Sequence, residues 1–165
     1  IIQTVQSSYI TEWEQTMNGS VPEYANNGTE DLNVTITPSS ASNKIFLTFS
    51  IGANSAHNAG TGYGLGVIVT RNGTSISVNA GSSNHPKVSF VMSTNTHSYS
   101  GRVATYHFLD SPGIITECVY KLKCISHSSS DHVTRWNRQT NLGTNAASGH
   151  ASVTATNFIA QEVQG

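Results

Sequence analysis

Charge is scarce in this sequence. Asp, Glu, Lys and Arg make up 10% of its 165 residues, where about a quarter is usual in globular domains, and the net charge is −1. Lys and Arg form no block, so the chain lacks the electrostatic footprint of a nucleic-acid-binding protein. Its unbroken apolar runs are only a few residues long, far too short for a transmembrane helix. These shortages predict a protein that neither binds nucleic acid nor inserts into a membrane.

Cysteine is also rare, and its two copies, Cys118 and Cys124, lie in the segment ECVYKLKC. In one extended strand they would face the same side, roughly 20 Å apart at about 3.3 Å per residue. A disulfide requires Cα atoms within about 7 Å of each other, which excludes a bridge within this strand. We expect both to be small, buried apolar side chains rather than a redox or metal-binding pair.

Hydroxyl and amide side chains take the place of charge, because Ser, Thr and Asn together make up about a third of the chain. Disorder requires high net charge and few β-branched residues, and this chain has neither. The composition favours an all-β protein with hydroxyls and amides on its solvent-facing sides. The length suits one domain, residues 1–165, with a substantial core. The start at Ile1 indicates a processed or truncated piece. Residues 1–30 are predicted to form a first strand and an extended arm, with residues 8–16 either a strand or part of that arm.

The clearest pattern lies between Asp31 and Ile51, in DLNVTITPSSASNKIFLTFSI. Apolar residues alternate with polar ones on both sides of a small, polar segment that follows Pro38, which is the pattern of two half-buried strands. We predict that the two strands form a hairpin. Similar signals, together with an Asn-Gly turn at 71–74, predict nine to ten strands and hence an antiparallel sandwich or barrel. The predicted strands are 1–7, 32–37, 45–51, 65–70, 75–79, 88–92, 102–109, 114–126, 132–138 and 151–163.

Catalytic motifs are missing from the sequence. It has no nucleophile elbow, phosphate-binding loop, HExxH or CxxC, and its seven histidines are scattered without metal-ligand spacing. Glu12 and Glu14 share a strand face, but carboxylates on an exposed arm are more often there for solvation than for glycosidase chemistry. We therefore predict no enzymatic activity, no cofactor and no metal site.

Aromatic residues beside polar loops give the only candidate ligand site. Aromatic rings next to amides, hydroxyls and guanidinium groups are the usual means of gripping a sugar face. Two arginines flank Trp136 in TRWNRQT, which suits an anionic or sugar ligand, whereas the alternative is that Trp136 anchors a loop or fills a subunit interface. Tyr24 lies in similar surroundings. The predicted ligand-binding residues are Trp13, Tyr63, Tyr99, Arg135, Trp136 and Arg138.

The order of several motifs resembles the carboxy-terminal domain of tail-fibre and other virion appendage proteins of marine bacteriophages, including those of cyanobacteria. The Thr-Pro-Ser-Ser and Leu-Asp-Ser-Pro elements are fairly specific together, and the matching segments span nearly the whole chain. They are IIQTVQ at 1–6, LNVTITPSSASNKI at 32–45, VIVTRNGTSIS at 67–77, HFLDSPG at 107–113, TECVYKLK at 116–123 and NFIAQEV at 157–163.

The resemblance implies a jelly-roll-like β-sandwich that forms a homotrimer, is located in the virion and has no catalytic residues. It leads us to expect the distal domain of a tail or capsid fibre, which attaches to a glycan or protein of the host cell surface and contacts other virion proteins. An architectural capsid-decoration protein, a free carbohydrate-binding lectin and a hydrolytic spike domain are the alternatives. We expect the partner-dependent part to lie in the loops around 54–64, 80–101 and 126–150.

Overall fold

A computed structural model describes residues 1–17, 21–56, 65–78, 87–92, 103–126, 132–137 and 154–165. All regular structure in these residues is β-strand, as the composition predicts. The twelve strands are β1 (Gln3–Tyr9), β2 (Trp13–Met17), β3 (Glu23–Tyr24), β4 (Asn33–Ile36), β5 (Lys44–Ala56), β6 (Leu65–Arg71), β7 (Thr74–Ile76), β8 (Phe90–Met92), β9 (Val103–Asp110), β10 (Cys118–Ser126), β11 (His132–Trp136) and β12 (Thr156–Val163).

The first sheet consists of four antiparallel rows. Its longest strand, β5, pairs with β9 on one side. On its other side β5 pairs with β12 along residues 44–50 and with β11 along residues 53–56, so β12 and β11 lie end to end in one row. β1 pairs with β12 and β2 with β11, so these two strands form the outermost row together.

The second sheet has the same four-row construction. β10 pairs with β6 on one side and with both β4 and β3 on the other, which places β3 and β4 in one row. Beyond β6, the strands β7 and β8 pair with different parts of its free edge and share the outermost row. Residues 71–74 form the predicted Asn-Gly turn between β6 and β7, with positive φ angles of 48° at Asn72 and 83° at Gly73.

Eight rows therefore form the two sheets, and their order along the chain is that of a jelly roll. The first sheet reads β1/β2, β11/β12, β5, β9, and the second reads β3/β4, β10, β6, β7/β8. The expected antiparallel, jelly-roll-like sandwich is confirmed. The twelve strands exceed the nine to ten predicted because the predicted strands include neither β2 nor the two-residue β3.

The predicted hairpin between residues 31 and 51 is wrong, although both strands exist. β4 pairs with β10 in the second sheet, whereas β5 pairs with β9, β11 and β12 in the first. Alternation of apolar and polar residues shows which side chains of a strand face the core, but not which strand is its neighbour. Two strands in opposite sheets of a sandwich therefore have the same pattern as two strands paired in a hairpin. The segment 37–43 is thus an arch that carries the chain from one sheet to the other.

The core between the sheets is formed by the inward-facing residues of both. Leu47 and Phe49 of β5 are fully buried, as are Val67 of β6 and Leu122 of β10. Phe158 of β12 meets Phe49 edge to face, with ring centroids 5.0 Å apart. Each such large apolar side chain contributes about 1.5–3 kcal/mol through its removal from water.

Several strand boundaries differ from prediction. β10 begins at Cys118 rather than at 114, β5 continues to Ala56, into a predicted loop, and β3 was not predicted because it is only two residues long. Residues 13–17 form the strand β2, which agrees with the strand alternative for residues 8–16. Cys118 and Cys124 are both free and buried in β10, which confirms their predicted role.

Candidate functional site

Most of the segments that the structure does not describe are attached to strand ends at one end of the sandwich. In the first sheet Met17 lies opposite His132, and Ala56 lies opposite Val133. In the second sheet Leu65 has both Ser126 and Met92 as neighbours. The segments 18–20, 57–64 and 127–131 connect strand ends of this group, and 93–102 leaves from it. We call this the loop end.

The two chain ends lie at the opposite end, which we call the terminal end. The amide of Ile2 donates a hydrogen bond of 2.7 Å to the carbonyl oxygen of Glu162, and Gly165 N donates to Asn43 Oδ1 over 3.4 Å. The arch 37–43 closes this end of the sandwich. The structure therefore has a polarity, with the chain ends at one end and the loop end at the other.

Glu162 is the anchor of the terminal end. Its buried carboxylate accepts hydrogen bonds from Ser39 N and Oγ, both 2.7 Å, from Asn43 Nδ2 at 2.6 Å and from Gln3 Nε2 at 2.7 Å. Removal from water opposes ionisation, but these donors outweigh it and lower the pKa of Glu162 to about 2. The ionised carboxylate thus fastens the arch to β12 and β1.

A second buried carboxylate, that of Asp110, also accepts several hydrogen bonds. Arg71 Nη1 lies 2.8 and 2.7 Å from the two carboxylate oxygens of Asp110, and the hydroxyl of Tyr120 donates to Asp110 Oδ2 over 2.7 Å. Burial first, and then the hydrogen bond to Asp110, raise the pKa of Tyr120. This cluster joins β6, β9 and β10, and both oxygens of the Asp110 carboxylate are engaged within it.

The two tryptophans of the predicted ligand site stack on each other. Trp13 and Trp136 are opposite residues of β2 and β11, and their rings are nearly parallel, at 6°, with centroids 5.3 Å apart. Trp136 has 0% exposure because the alternation of β11 turns it into the core. Its ring therefore offers no face to a sugar in this structure, and it fills the core near the loop end instead.

Arg135 lies on the outer side of the same strand. Its Nε is 2.8 Å from Glu14 Oε1, the opposite residue on β2. The guanidinium group is partly exposed, with 24% of its side chain accessible. Arg135 thus forms a cross-strand ion pair, which contributes little to the free energy of unfolding because the position is partly exposed.

The other three predicted site residues, Tyr63, Tyr99 and Arg138, lie outside the described residues. The described strand ends nevertheless show where their segments attach. Tyr63 belongs to 57–64 and Tyr99 to 93–102, both of which start at the loop end, whereas Arg138 follows Asn137. Their part in ligand binding stays a prediction.

Tyr24, the remaining candidate aromatic residue, lies against two lysine side chains. Lys121 Nζ and Lys123 Nζ lie 5.3 and 4.7 Å from the centre of its ring. Lys121 also pairs with Asp31 at 3.0 Å. Both cation–π contacts occupy the outer side of the second sheet, where β3 and β10 are neighbours.

Asn137 forms a junction that sequence reasoning missed. Its side-chain amide donates to the carbonyl oxygens of Tyr9 and Thr11, at 2.7 and 2.9 Å, and so bridges the break between β1 and β2. Its Oδ1 accepts from Thr156 Oγ1 at 2.8 Å. Its φ of 60° lies in the left-handed region that Asn tolerates better than most residues. The sequence carried no signal for this role, because Asn137 lies inside the predicted strand 132–138, whereas β11 ends at Trp136.

Three buried polar atoms near this junction have no hydrogen-bond partner among the described residues. They are the indole Nε1 atoms of Trp13 and Trp136 and the hydroxyl of Thr134. Thr134 and Trp136 are both fully buried and point to the same side of β11. Buried donors are usually satisfied, so each of these groups costs stability as it stands.

The described parts of the chain form no metal-binding cluster. Within them, His, Cys, Asp and Glu make no group of three that could hold a metal ion. No helix long and apolar enough to cross a membrane occurs in the same residues.

Comparison with known proteins adds no relative. No protein-family model matches the chain, and no curated protein is significantly similar to it. The likeness to virion appendage domains therefore rests on the sequence motifs alone.

Proposed function

We propose that this protein is a non-catalytic distal domain of a phage tail or capsid fibre, and that its loop end binds a glycan or protein of the host cell surface. The observation that supports this proposal is the polarity of the sandwich. A distal domain is attached through its chain and must turn its binding loops away from that attachment. Here the chain ends and the loop end lie at opposite ends.

The hydrogen-bonded carboxylates also support separate roles for the two ends of the sandwich, one for attachment and one for binding. The terminal end is fastened by the buried carboxylates of Glu162 and Asp110, each with three or more hydrogen bonds. Such a scaffold holds its loops in place without taking part in binding, which is how binding sites on rigid β-sandwiches are usually built.

The test is adsorption of the labelled, purified protein to a panel of marine bacteria that includes cyanobacteria. We expect binding to some strains, and loss of that binding in the combined variant Tyr63→Ala and Tyr99→Ala, whose segments start at the loop end. Glu117→Ala, an exposed substitution at the terminal end, is the matched control and should bind as the parent does.

Four outcomes would overturn the proposal. If no strain is bound, or if the loop variant binds as well as the parent, the loop end is not an attachment surface. If the protein instead binds phage heads stripped of their surface proteins, it is a decoration protein. Binding to glycans on an array by single, unassembled chains would indicate a free lectin.

A further inference from the structure

The outer side of the first sheet carries a surface made of hydroxyl, amide and apolar side chains. The pairing of β1, β12, β5 and β9 places their outward-facing residues in three rows across the sheet. We call the twelve residues of these rows the polar face, and none of them is Asp, Glu, Lys or Arg. The rows are Thr4, Gln161, Phe46 and Leu109; Gln6, Ile159, Thr48 and His107; and Ser8, Asn157, Ser50 and Thr105.

The polar face is accessible and extends over several strands. Its side chains are exposed along β1 and β9 and half-buried along β5 and β12. Three strand spacings of about 4.8 Å make it about 14 Å wide between the outermost Cα atoms, and four residues along a strand make it about 13 Å long. Charged residues lie at its borders, where Lys44 precedes it at the terminal end and the pair of Glu14 with Arg135 occupies the outer side of β2 and β11.

An aromatic pair lies on one side of the polar face. The ring of Phe46 stacks on the imidazole ring of His107, with 5° between the ring planes and 5.7 Å between the centroids. Thr48 Oγ1 lies 3.0 Å from His107 Nδ1, which holds the imidazole ring in this position. Phe46 is not part of the core cluster, so the core does not explain a Phe at this outward position. Aromatic rings fixed at a surface in this way offer apolar area to the C–H groups of a sugar ring.

Amide and hydroxyl groups are already ordered on the other side of the polar face. Gln6 Nε2 donates to Ser8 Oγ over 2.8 Å, and Ser8 Oγ donates to Asn157 Oδ1 over 2.7 Å. Gln161 Nε2 lies 3.4 Å from Thr4 Oγ1. A side-chain amide has two donor hydrogens and two acceptor lone pairs, so these groups keep capacity for the hydroxyls of a ligand.

The composition of the polar face distinguishes between kinds of partner. Nine of its twelve side chains can form hydrogen bonds, whereas the core of a protein–protein interface is more apolar and is depleted in Ser. An anionic glycan would find no cation within the face, because Lys44 only borders it. A neutral polysaccharide has apolar C–H surfaces, many hydroxyls and no charge, and it therefore complements this surface best.

From these features we propose that the polar face binds a neutral polysaccharide. Phe46 and His107 pack against its sugar rings, and the amides of the neighbouring strands bond to its hydroxyls. Because the face lies along the side of the sandwich, it is a site separate from the loop end. The inference does not rest on attachment through the loop end.

Affinity electrophoresis in native gels tests the proposal, with laminarin, hydroxyethyl cellulose or galactomannan as the neutral polysaccharide and alginate as the anionic one. We expect at least one neutral polysaccharide to retard the parent protein, and alginate not to do so. Phe46→Ala and Gln6→Ala, on opposite sides of the face, should each weaken binding roughly tenfold. Ser75→Ala, exposed on β7 of the second sheet, is the matched control and should bind as the parent does.

Circular dichroism establishes whether each variant is folded, and His107→Ala replaces Phe46→Ala if the latter does not fold. Retardation by none of the three neutral polysaccharides would overturn the proposal, as would unchanged binding by the variants of the face. Stronger retardation by alginate would contradict the assignment to a neutral ligand. A parent oligomer that dissociates on Phe46→Ala, as measured by light scattering, would show that the face contacts another chain instead.

The loop variant with Tyr63→Ala and Tyr99→Ala separates this site from the loop end. It should bind the neutral polysaccharide as the parent does, and loss of binding would place the polysaccharide at the loop end and contradict the proposal. Glycan binding that the loop variant keeps and Phe46→Ala loses belongs to the polar face, and it does not bear on attachment through the loop end.

Discussion

The amide of Thr154 donates a hydrogen bond to the carbonyl oxygen of Asn137, with 3.0 Å between the two atoms. The two residues that flank the segment 138–153 are thus hydrogen-bonded neighbours, and β11 and β12 form a single row. Gly52 of β5 lies against this point, where a Cβ would overlap the side chain of Thr154. The base of the segment is therefore part of the framework.

Replacement of residues 138–153 by a short Gly-Ser linker should leave the fold intact. Asn137 and Thr154 already lie within hydrogen-bond distance, so a short linker can span them without moving β11 or β12. We expect an unchanged β-type circular dichroism spectrum and a melting temperature close to that of the parent. A loss of cooperative unfolding would show that the segment contributes to the core.

Asn137→Ala should be strongly destabilising, by about 3 kcal/mol, because it removes two hydrogen bonds to the part-buried carbonyls of Tyr9 and Thr11 and the acceptor of the buried Thr156 hydroxyl. It also places Ala in the left-handed backbone region. Urea denaturation provides the measurement.

Asn137→Gly separates the two causes. It adopts the positive φ freely but makes none of the side-chain hydrogen bonds. We expect it to be nearly as unstable as Asn137→Ala if the hydrogen bonds dominate. A Gly variant as stable as the parent would show that backbone conformation alone sets the choice of Asn.

Thr134→Val should stabilise the protein by about 1 kcal/mol, because it removes a buried hydroxyl that has no partner among the described residues and keeps the β-branched shape. Thermal and urea unfolding of the two proteins give the difference. Thr70→Val is the matched control, since the Thr70 hydroxyl donates to the carbonyl of Lys121 over 3.2 Å and its loss should destabilise. A destabilising Thr134→Val would reveal a bound water or another acceptor at this hydroxyl.

Acid should loosen the terminal end through Glu162. Its folded-state pKa of about 2 lies below the value of 4.5 for an unperturbed Glu, so ionised Glu162 stabilises the folded state above pH 4.5. This contribution is lost progressively as the pH falls from 4.5 towards 2. Urea midpoints measured across that range should fall for the parent protein.

Glu162→Gln is the comparison for this pH effect. The variant should be less stable at neutral pH, because a neutral amide accepts weaker hydrogen bonds from Ser39 and Asn43, and its midpoint should change less with acid. If parent and variant lose stability in parallel between pH 4.5 and 2, another group governs the acid response.

The two cysteines should resist thiol reagents in the folded protein. Burial raises the pKa of the Cys124 thiol to about 12 and also raises that of Cys118, so neither forms the reactive thiolate near neutral pH. We expect both to react with a chromogenic disulfide reagent only in denaturant. Rapid labelling of the native chain would show that β10 is accessible.

Much of the fold could be predicted from the sequence, and the parts that failed share a physical cause. Alternation placed β4, β5, β9 and β12 because each has one buried face. Alternation does not show which strands are neighbours in a sheet. The arch 37–43 is therefore predicted as a hairpin turn, because a strand has the same pattern of inward-facing residues in either sheet. Hydrogen bonds between residues far apart in sequence, such as Ser39 with Glu162, are what determine the sheet to which a strand belongs.

The candidate site was less predictable. Trp136 looked like a surface aromatic because polar residues surround it, yet it occupies an inward position of β11 and is fully buried. Its neighbour Arg135 points the other way and pairs with Glu14, as the period of two requires. Asn137 escaped notice because its role depends on three strand ends that meet only in the folded chain.

The pairing of β1 with β12 also determines how the protein would carry tension. Seven opposed residue pairs, from Gln3 with Glu162 to Tyr9 with Thr156, join the first strand to its neighbour. If the loop end were bound to a cell surface and a force pulled on Ile1, the force would act along the strands. It would then be at right angles to the hydrogen bonds between the strands. The ladder would then be loaded in shear, so its bonds must yield together rather than peel apart one by one. Under the proposed attachment function, a sandwich loaded in this way would resist unfolding when flow drags on a particle tethered through it.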